Sequence, residues 1–318
     1  MSRYILKRLL WMIPVVLGVA ILIFTILYFT PGDPAQMILG SNATVDDIAE
    51  LRHTMGLDRP FFVQLGSFLS DLFLHFDLGV SYFTSKPIAG EIISRLPHTF
   101  MIALGSMILS VVIGIPLGVT AATHQDKLAD RASMLVALAG ISMPQFWIGL
   151  LLVLLLSLKL GWLPSSGIGS FANYVIPIIA TSFGGIATEA RLVRSSMLDV
   201  VRSDYVTTSR AKGVNKTAST YKHALPNALI PVITQAGTSF GKMLGGTIVI
   251  ESVFSIPGIG LYMISAINNR DYPVIRGSVV FLAIAFSLII LLVDLIYAFV
   301  DPRIKAQYVS RSKKKVKA

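Results

Sequence analysis

The chain has 318 residues, 54% of them hydrophobic and only 14% charged, with a mean hydropathy of +0.72 and a formal net charge of +10. A soluble domain carries about 25% charged residues, so this composition excludes an ordinary soluble enzyme and points to an integral membrane protein. With no cysteines, disulfides, thiolate metal sites and cysteine nucleophiles are excluded, and the five histidines are scattered without ligand spacing.

A membrane-spanning helix needs roughly 20 apolar residues. Six long stretches lack Asp, Glu, Lys and Arg: 9–32, 96–125, 132–158, 160–188, 223–241 and 277–293. The fourth opens on a loop, GWLPSSGIGS, so its helix is expected nearer 172–188. The last two extend past one charge each, Lys242 and Asp294. The predicted fold is an all-α membrane protein with six transmembrane helices. It divides into a tail and first helix (1–30), a cap region (31–97), a five-helix core (98–300) and a basic tail (301–318). The first span exceeds the 7–15 residues of a signal-peptide core and no small-x-small site follows, so it is expected to be retained. It stops at PGDP.

With the N-terminus placed in the cytoplasm, the charges sort by side. Arg3, Lys7 and Arg8 precede the first span, segment 189–227 carries +4 and the tail after Val300 carries +6, against −4 in 31–97. This satisfies the positive-inside rule and puts both termini in the cytoplasm. The KKKVK tail suits anionic lipid headgroups better than nucleic acid.

Segment 31–97 is too long for a simple connection. It predicts a helix over 45–55 capped by Thr44 and an amphipathic run over 61–76. Together they form an extracytoplasmic cap, read as either a plug over the bundle or a docking surface for a delivery protein. The second span holds Gly-Ile-Pro-Leu-Gly at 114–118. Pro116 there marks close helix packing or a gating kink. The third opens with SMPQFWIG, and Trp147 and Trp162 suit interfacial depth.

Segment 199–227, DVVRSDYVTTSRAKGVNKTASTYKHALPN, is polar and basic between two apolar spans. A helix is predicted over 204–212, with Val201, Tyr205 and Thr208 on one stripe. Gly213 suits a left-handed C′ position, Asn215 caps a second run over 216–225, and Pro226 precedes the fifth span. The ordered series of helix, glycine, helix and proline favours a docking elbow over a merely solvated basic loop. Lys242, inside the fifth span, faces either the translocation pathway or a packing partner. Glu251, at that helix's outer end, is either a gating group or solvated at the interface. Asp294 is expected in a structural bond, with Tyr297, Asp301 and Arg303 close in sequence. GTSFGKM at 237–243 fails the nucleotide-binding loop pattern in both glycine spacing and the residue after lysine.

At this point the residues resemble a family. RAKGVNKTASTYKHALPNALIPVI is similar to the coupling (EAA) loop of ABC-importer permeases. RYILKRLL with PGDP, ELRHTMGLDRPFFVQ, DLGVSY, SMPQFWIG, ESVFSIPGIG and DLIYAFVDPR resemble the dipeptide/oligopeptide branch, in order over about 300 residues. At the family's Glu-Ala-Ala positions stand Thr207, Thr208 and Ser209. The resemblance implies one of two permease subunits of the prokaryotic inner membrane, with two cytoplasmic ATPases and an extracytoplasmic binding protein as partners. Tyr205, Thr207, Thr208, Ser209, Arg210, Ala211, Lys212 and Gly213 would carry ATPase coupling. ATP and Mg would sit on the partners, with no cofactor on this chain. Short peptides are the expected substrate; nickel chelates, glutathione and oligosaccharides are the family alternatives. An ion-coupled transporter using Lys242, Glu251 and Asp294, or a membrane scaffold, are the competing classes.

Overall fold

The structure, a computed structural model, describes residues 2–40 and 42–300. It is 79% helix, with no strand among the described residues. Four helices are long and apolar enough to cross a membrane, and a bent pair makes a fifth. The stretch expected as the fifth of six spans forms a 17-residue helix followed by a separate short one. The chain divides into two compact units, Met1–Phe100 with Ser255–Ser287, and Met101–Phe254 with Leu288–Ala318.

In the first unit, α1 (Ser2–Phe29) carries the first span. Asp33 caps α2 (Pro34–Leu39) by accepting from the Ala35 amide. Thr44 caps α3 (Val45–Thr54) as expected, in a reciprocal capping box with Asp47. The amphipathic run is α4 (Phe61–Leu74), joined to α1 by aromatic contacts of Phe61 and Phe68 with Phe24, at ring separations of 5.6 and 5.7 Å. The DLGVSY motif owes its shape to Asp271, which accepts from Ser81 Oγ at 2.6 Å and the Tyr82 amide at 3.1 Å. The next helix, α5 (Ile88–Thr123), starts nine residues before the expected end of the cap region, and Pro97 lies within it. Gly32 of PGDP has φ +126°, and a Cβ there would fall 1.2 Å from Nη1 of Arg270, so the stop after the first span requires glycine on both backbone and spatial grounds.

In the second unit, α5 packs on α8 (Ala172–Val201) along a seam of small residues. Ser106 Oγ donates to the Ile178 carbonyl at 3.1 Å, and Ser110 Oγ to the Ser182 carbonyl at 3.1 Å. A Cβ on Gly114 would lie 2.7 Å from Glu189 Cβ, and one on Gly118 would lie 2.5 Å from the Ala190 carbonyl oxygen. The glycines of the GIPLG motif thus serve packing, while Pro116 is exposed within one continuous helix. Gly118→Ile should overpack this seam by about 1–3 kcal/mol or more. The expected result is a several-fold lower yield of monodisperse protein on size-exclusion chromatography in detergent; an unchanged yield would mean the seam opens freely.

The third apolar stretch is split. α6 (Leu128–Ser142) and α7 (Gln145–Leu152), which continues as a π-helical turn to Lys159, meet at 101°. Met143 is extended, at φ −92° and ψ 131°, as a residue before proline tends to be, and Pro144 starts the new helix. A Cβ on Gly149 of α7 would lie 3.0 Å from the Phe254 ring, and the Phe254 carbonyl accepts from the Gly167 amide at 3.0 Å. α8 runs on to Val201, past the charges at 189, 191 and 194 that mark a loop in the sequence.

Candidate functional site

The elbow begins where α8 ends at Arg202. α9 (Asp204–Ala211) follows within one residue of its predicted bounds. Its end is a Schellman motif: the Gly213 amide donates to the Arg210 carbonyl at 2.9 Å and the Val214 amide to the Ser209 carbonyl at 3.2 Å. Gly213 has φ +84°, the left-handed geometry that its position requires. Asn215 Oδ1 then accepts from the Ala218 amide at 2.7 Å, capping α10 (Lys216–Ala218). A π-helical turn (Ser219–Ala224) and α11 (Leu225–Ala228) complete the second arm.

An apolar core fixes this elbow to the spans. Val206, fully buried, packs with Ala224, Ala228 and Val232 of the second arm and beyond, Val193 and Met197 of α8, and Val119 and Ala122 of α5. The predicted stripe of Val201, Tyr205 and Thr208 is not the buried face. The chain breaks at Arg202 and Ser203, which puts Val201 on a different helix, and Tyr205 and Thr208 are exposed. Two polar links brace the arms: Ser209 and Ser219 hydroxyls at 3.1 Å, and Asn227 Nδ2 donating to Tyr205 Oη at 3.0 Å. On the outer surface Tyr205, Thr207, Thr208, Arg210, Ala211, Lys212 and Gly213 are exposed, and Ser209 is half-buried. The eight residues thus form one ridge, held from beneath by Val206 and presenting a cationic end at Arg210 and Lys212.

The family model for the inner membrane component of binding-protein-dependent transport systems matches residues 114–306, and the model for the N-terminal part of such components matches 1–103. The chain belongs to this family. It is a permease component of an ABC importer. Its similar relatives include the glutathione transport system permease protein GsiC of Salmonella typhi, 42% identical over 305 residues, covering 96% of this chain and 99% of the relative. The dipeptide transport system permease protein DppB of Alkalihalophilus pseudofirmus is 42% identical over 333 residues, covering 96% and 100%. Among solved structures, an inward-facing form of the MetNI methionine ABC transporter matches with a TM-score of 0.57 at 20% identity, covering 69% of this chain and all of that one. At that identity the likeness speaks to the fold alone.

The remaining candidate residues of this permease component lie apart from the elbow ridge. Lys242 is exposed on α12 (Ile230–Gly246). Glu251 does not end that helix: it belongs to α13 (Ile248–Val253), is fully buried, and accepts from Thr247 Oγ1 at 2.8 Å. Interfacial solvation of Glu251 is therefore corrected to burial with a local partner, because the chain turns at Thr247 and folds the carboxylate inward. Asp294 is half-buried near the end of α15 (Tyr272–Val300). Asp301 and Arg303, like the basic tail, lie outside the described residues. A partly buried ion pair is absent from the sequence expectations. Arg194 Nε and Nη2 of α8 meet Asp130 Oδ1 and Oδ2 of α6 at 2.6 and 2.7 Å, and the Asp126 amide also donates to Asp130 at 3.0 Å. The one available signal was an arginine six residues beyond the fourth apolar stretch.

Proposed function

We propose that this chain forms half of an ATP-driven import pathway for short peptides, paired with a second, homologous permease. Two cytoplasmic ATPases would dock on the ridge from Tyr205 to Gly213, and an extracytoplasmic binding protein would deliver substrate. The observation that carries this reading is the ridge itself: exposed outward, yet tied through Val206 to α5 and α8. A push on such a ridge is transmitted to the spanning helices instead of being absorbed by a loose loop. Both termini lie in the cytoplasm in this reading, with residues 31–97 outside. The six spans are the four long helices, the bent pair and α12. ATP and Mg belong to the ATPases, which supply the hydrolysis, and the chain itself holds no cofactor. Lipid surrounds the spans, and nucleic acid has no part.

Peptides are favoured because relatives 42% identical along nearly their whole length are named for glutathione and dipeptide transport. The exposed Lys242 is assigned to the pathway, where it would meet a substrate carboxylate; Glu251 is assigned to gating through the turn at Thr247. Proteoliposomes holding this chain, its co-purified permease and ATPases, and the binding protein should accumulate labelled dipeptide or glutathione only with ATP. Uptake driven by an ion gradient without ATP would sink the importer reading, and a binding protein that retains only non-peptide ligands would sink the substrate.

A further inference from the structure

The unit formed by Met1–Phe100 and Ser255–Ser287 contains a cavity of about 280 Å³ and a second of about 250 Å³, and Gln64, Tyr82 and Arg276 line both. The guanidinium of Arg276 lies over two aromatic rings, 5.3 Å from the centre of Phe24 and 5.0 Å from that of Phe68. Its Nε is buried without an acceptor. Among the described residues no carboxylate lies within ion-pair distance of it, and Asp271 acts on it only at longer range. The acids of this region are already engaged. Asp33 holds the Ala35 amide and Arg52, Asp271 holds Ser81 and the Tyr82 amide, Asp71 faces His75, and Asp77 holds the Gly79 amide. Burial pushes the Tyr82 phenol up from its usual range, while the charge of Arg276 opposes that shift, so Tyr82 stands protonated beside the guanidinium as a neutral donor.

We propose that Arg276 is a carboxylate-binding residue and that the cavity it lines takes the C-terminal carboxylate of a short peptide. Arginine is the side chain suited to a bidentate carboxylate; this one shares a hydrogen bond with Tyr82 but keeps its Nε without an acceptor, and the flanking rings fix the plane in which the fork points. The carboxylate that acts on this guanidinium, Asp271, is shared with Ser81 and the Tyr82 amide, so the cation is only partly compensated in a partly buried wall, which is costly, and a ligand carboxylate would lower that cost. Tyr82 supplies a further hydrogen-bonding group, and Phe24 and Leu27 supply apolar wall. Gln64 Nε2 already donates to the Leu57 and Arg59 carbonyls, which leaves its Oε1 as an acceptor for a peptide N–H. The volume is at the small end for ligand pockets, roughly 300–1,000 Å³, which fits the end of a peptide and not a folded partner. This inference rests on the peptide-import reading, and it places a substrate contact on the permease in addition to any made by a binding protein.

The test is a saturation-transfer NMR titration of the full chain in lipid nanodiscs with alanyl-alanine and with alanyl-alanine amide. The free acid should bind at least tenfold more tightly than the amide. That comparison needs no variant, so it stands even if substitutions at 276 harm folding. Arg276→Met, which keeps the stacked stem, should weaken the acid at least tenfold, with Arg276→Lys intermediate. Equal binding of acid and amide, no binding of either, or an unchanged affinity in Arg276→Met would overturn the site. ATP-driven peptide uptake by the complete assembly alongside any of those results would leave the transport reading intact and remove only Arg276. Tight acid binding to the chain without peptide uptake would support the site and count against the transport reading alone.

Discussion

Gly213→Val is expected to abolish ATP-coupled uptake while leaving the helices in place. The backbone at Gly213 stands at φ +84°, and its two flanking amide bonds close the Schellman turn. A Cβ added there would meet nothing within 4 Å, so crowding is not the cause of the defect. The cause is conformational. An L-residue in left-handed geometry costs about 1–2 kcal/mol, and a β-branched one is a steric outlier. At about 1.4 kcal/mol per factor of ten, the correctly turned elbow should fall roughly five- to thirtyfold relative to alternative turns, or further for the β-branched side chain. Since Val206 and its neighbours pack independently of that turn, helix content by circular dichroism and yield in detergent should stay near wild type. Co-purification of the ATPases and peptide uptake should fall together by at least tenfold. Gly213→Ala should be intermediate and Gly213→Asn mildest, because asparagine tolerates the left-handed region. Normal coupling in Gly213→Val would remove this turn from the mechanism.

The contrast between what the sequence revealed and what it hid follows the range of the interactions. The bounds of α3 and α9, the Thr44 and Asn215 caps and the turn at Gly213 all depend on residues within five positions of one another. Each was readable because a cap or a positive φ selects its residue type locally. The failures have a different origin. Charges at 189, 191 and 194 suggested a loop, yet α8 continues through them. Glu189 is buried against α5, and Arg194 finds Asp130 sixty-four positions away, a partner no local pattern announces. The 101° bend at Pro144 was not expected: the uninterrupted apolar run around SMPQFWIG masked the proline's power to split the helix. Glu251 was misplaced for the converse reason. The charge pattern put it at a helix end, while the backbone turn at Thr247 and burial of Ile250 and Phe254 drew it inside. The elbow ridge was legible as a series of signals but not in its orientation. Val206 is the one buried residue of α9, and helical spacing alone did not single it out from Tyr205.

Breaking the Asp130–Arg194 pair from one side only is expected to be the most destabilising change in the second unit. Asp130 is 3% exposed and its two oxygens meet Arg194 at 2.6 and 2.7 Å. Removing Arg194 leaves the buried Asp130 carboxylate without compensation, for which about 3–5 kcal/mol is the upper range, whereas Arg194, with 27% of its side chain exposed, can be solvated when Asp130 is removed, so that side costs less. Replacing both by apolar groups of similar size is often close to neutral. Arg194→Met should therefore lower the thermal midpoint of the detergent-purified chain strongly and Asp130→Leu less so, while the double variant should recover most of the loss seen in Arg194→Met. Recovery should stop short of wild type, because the Asp126 amide, 3.0 Å from Asp130, loses its acceptor in any variant lacking the carboxylate. Additive losses in the double variant would show that the two charges act separately. The position of the pair gives the result a second meaning. Arg194 follows Val193 on α8, and Val193 lies in the apolar cluster beneath the elbow. The ion pair thus ties α6 to the same turn of α8 that supports the ridge. Single variants that still fold should lose uptake more than they lose binding of the ATPases, since the ridge would remain presented while its rigid footing on α8 is weakened.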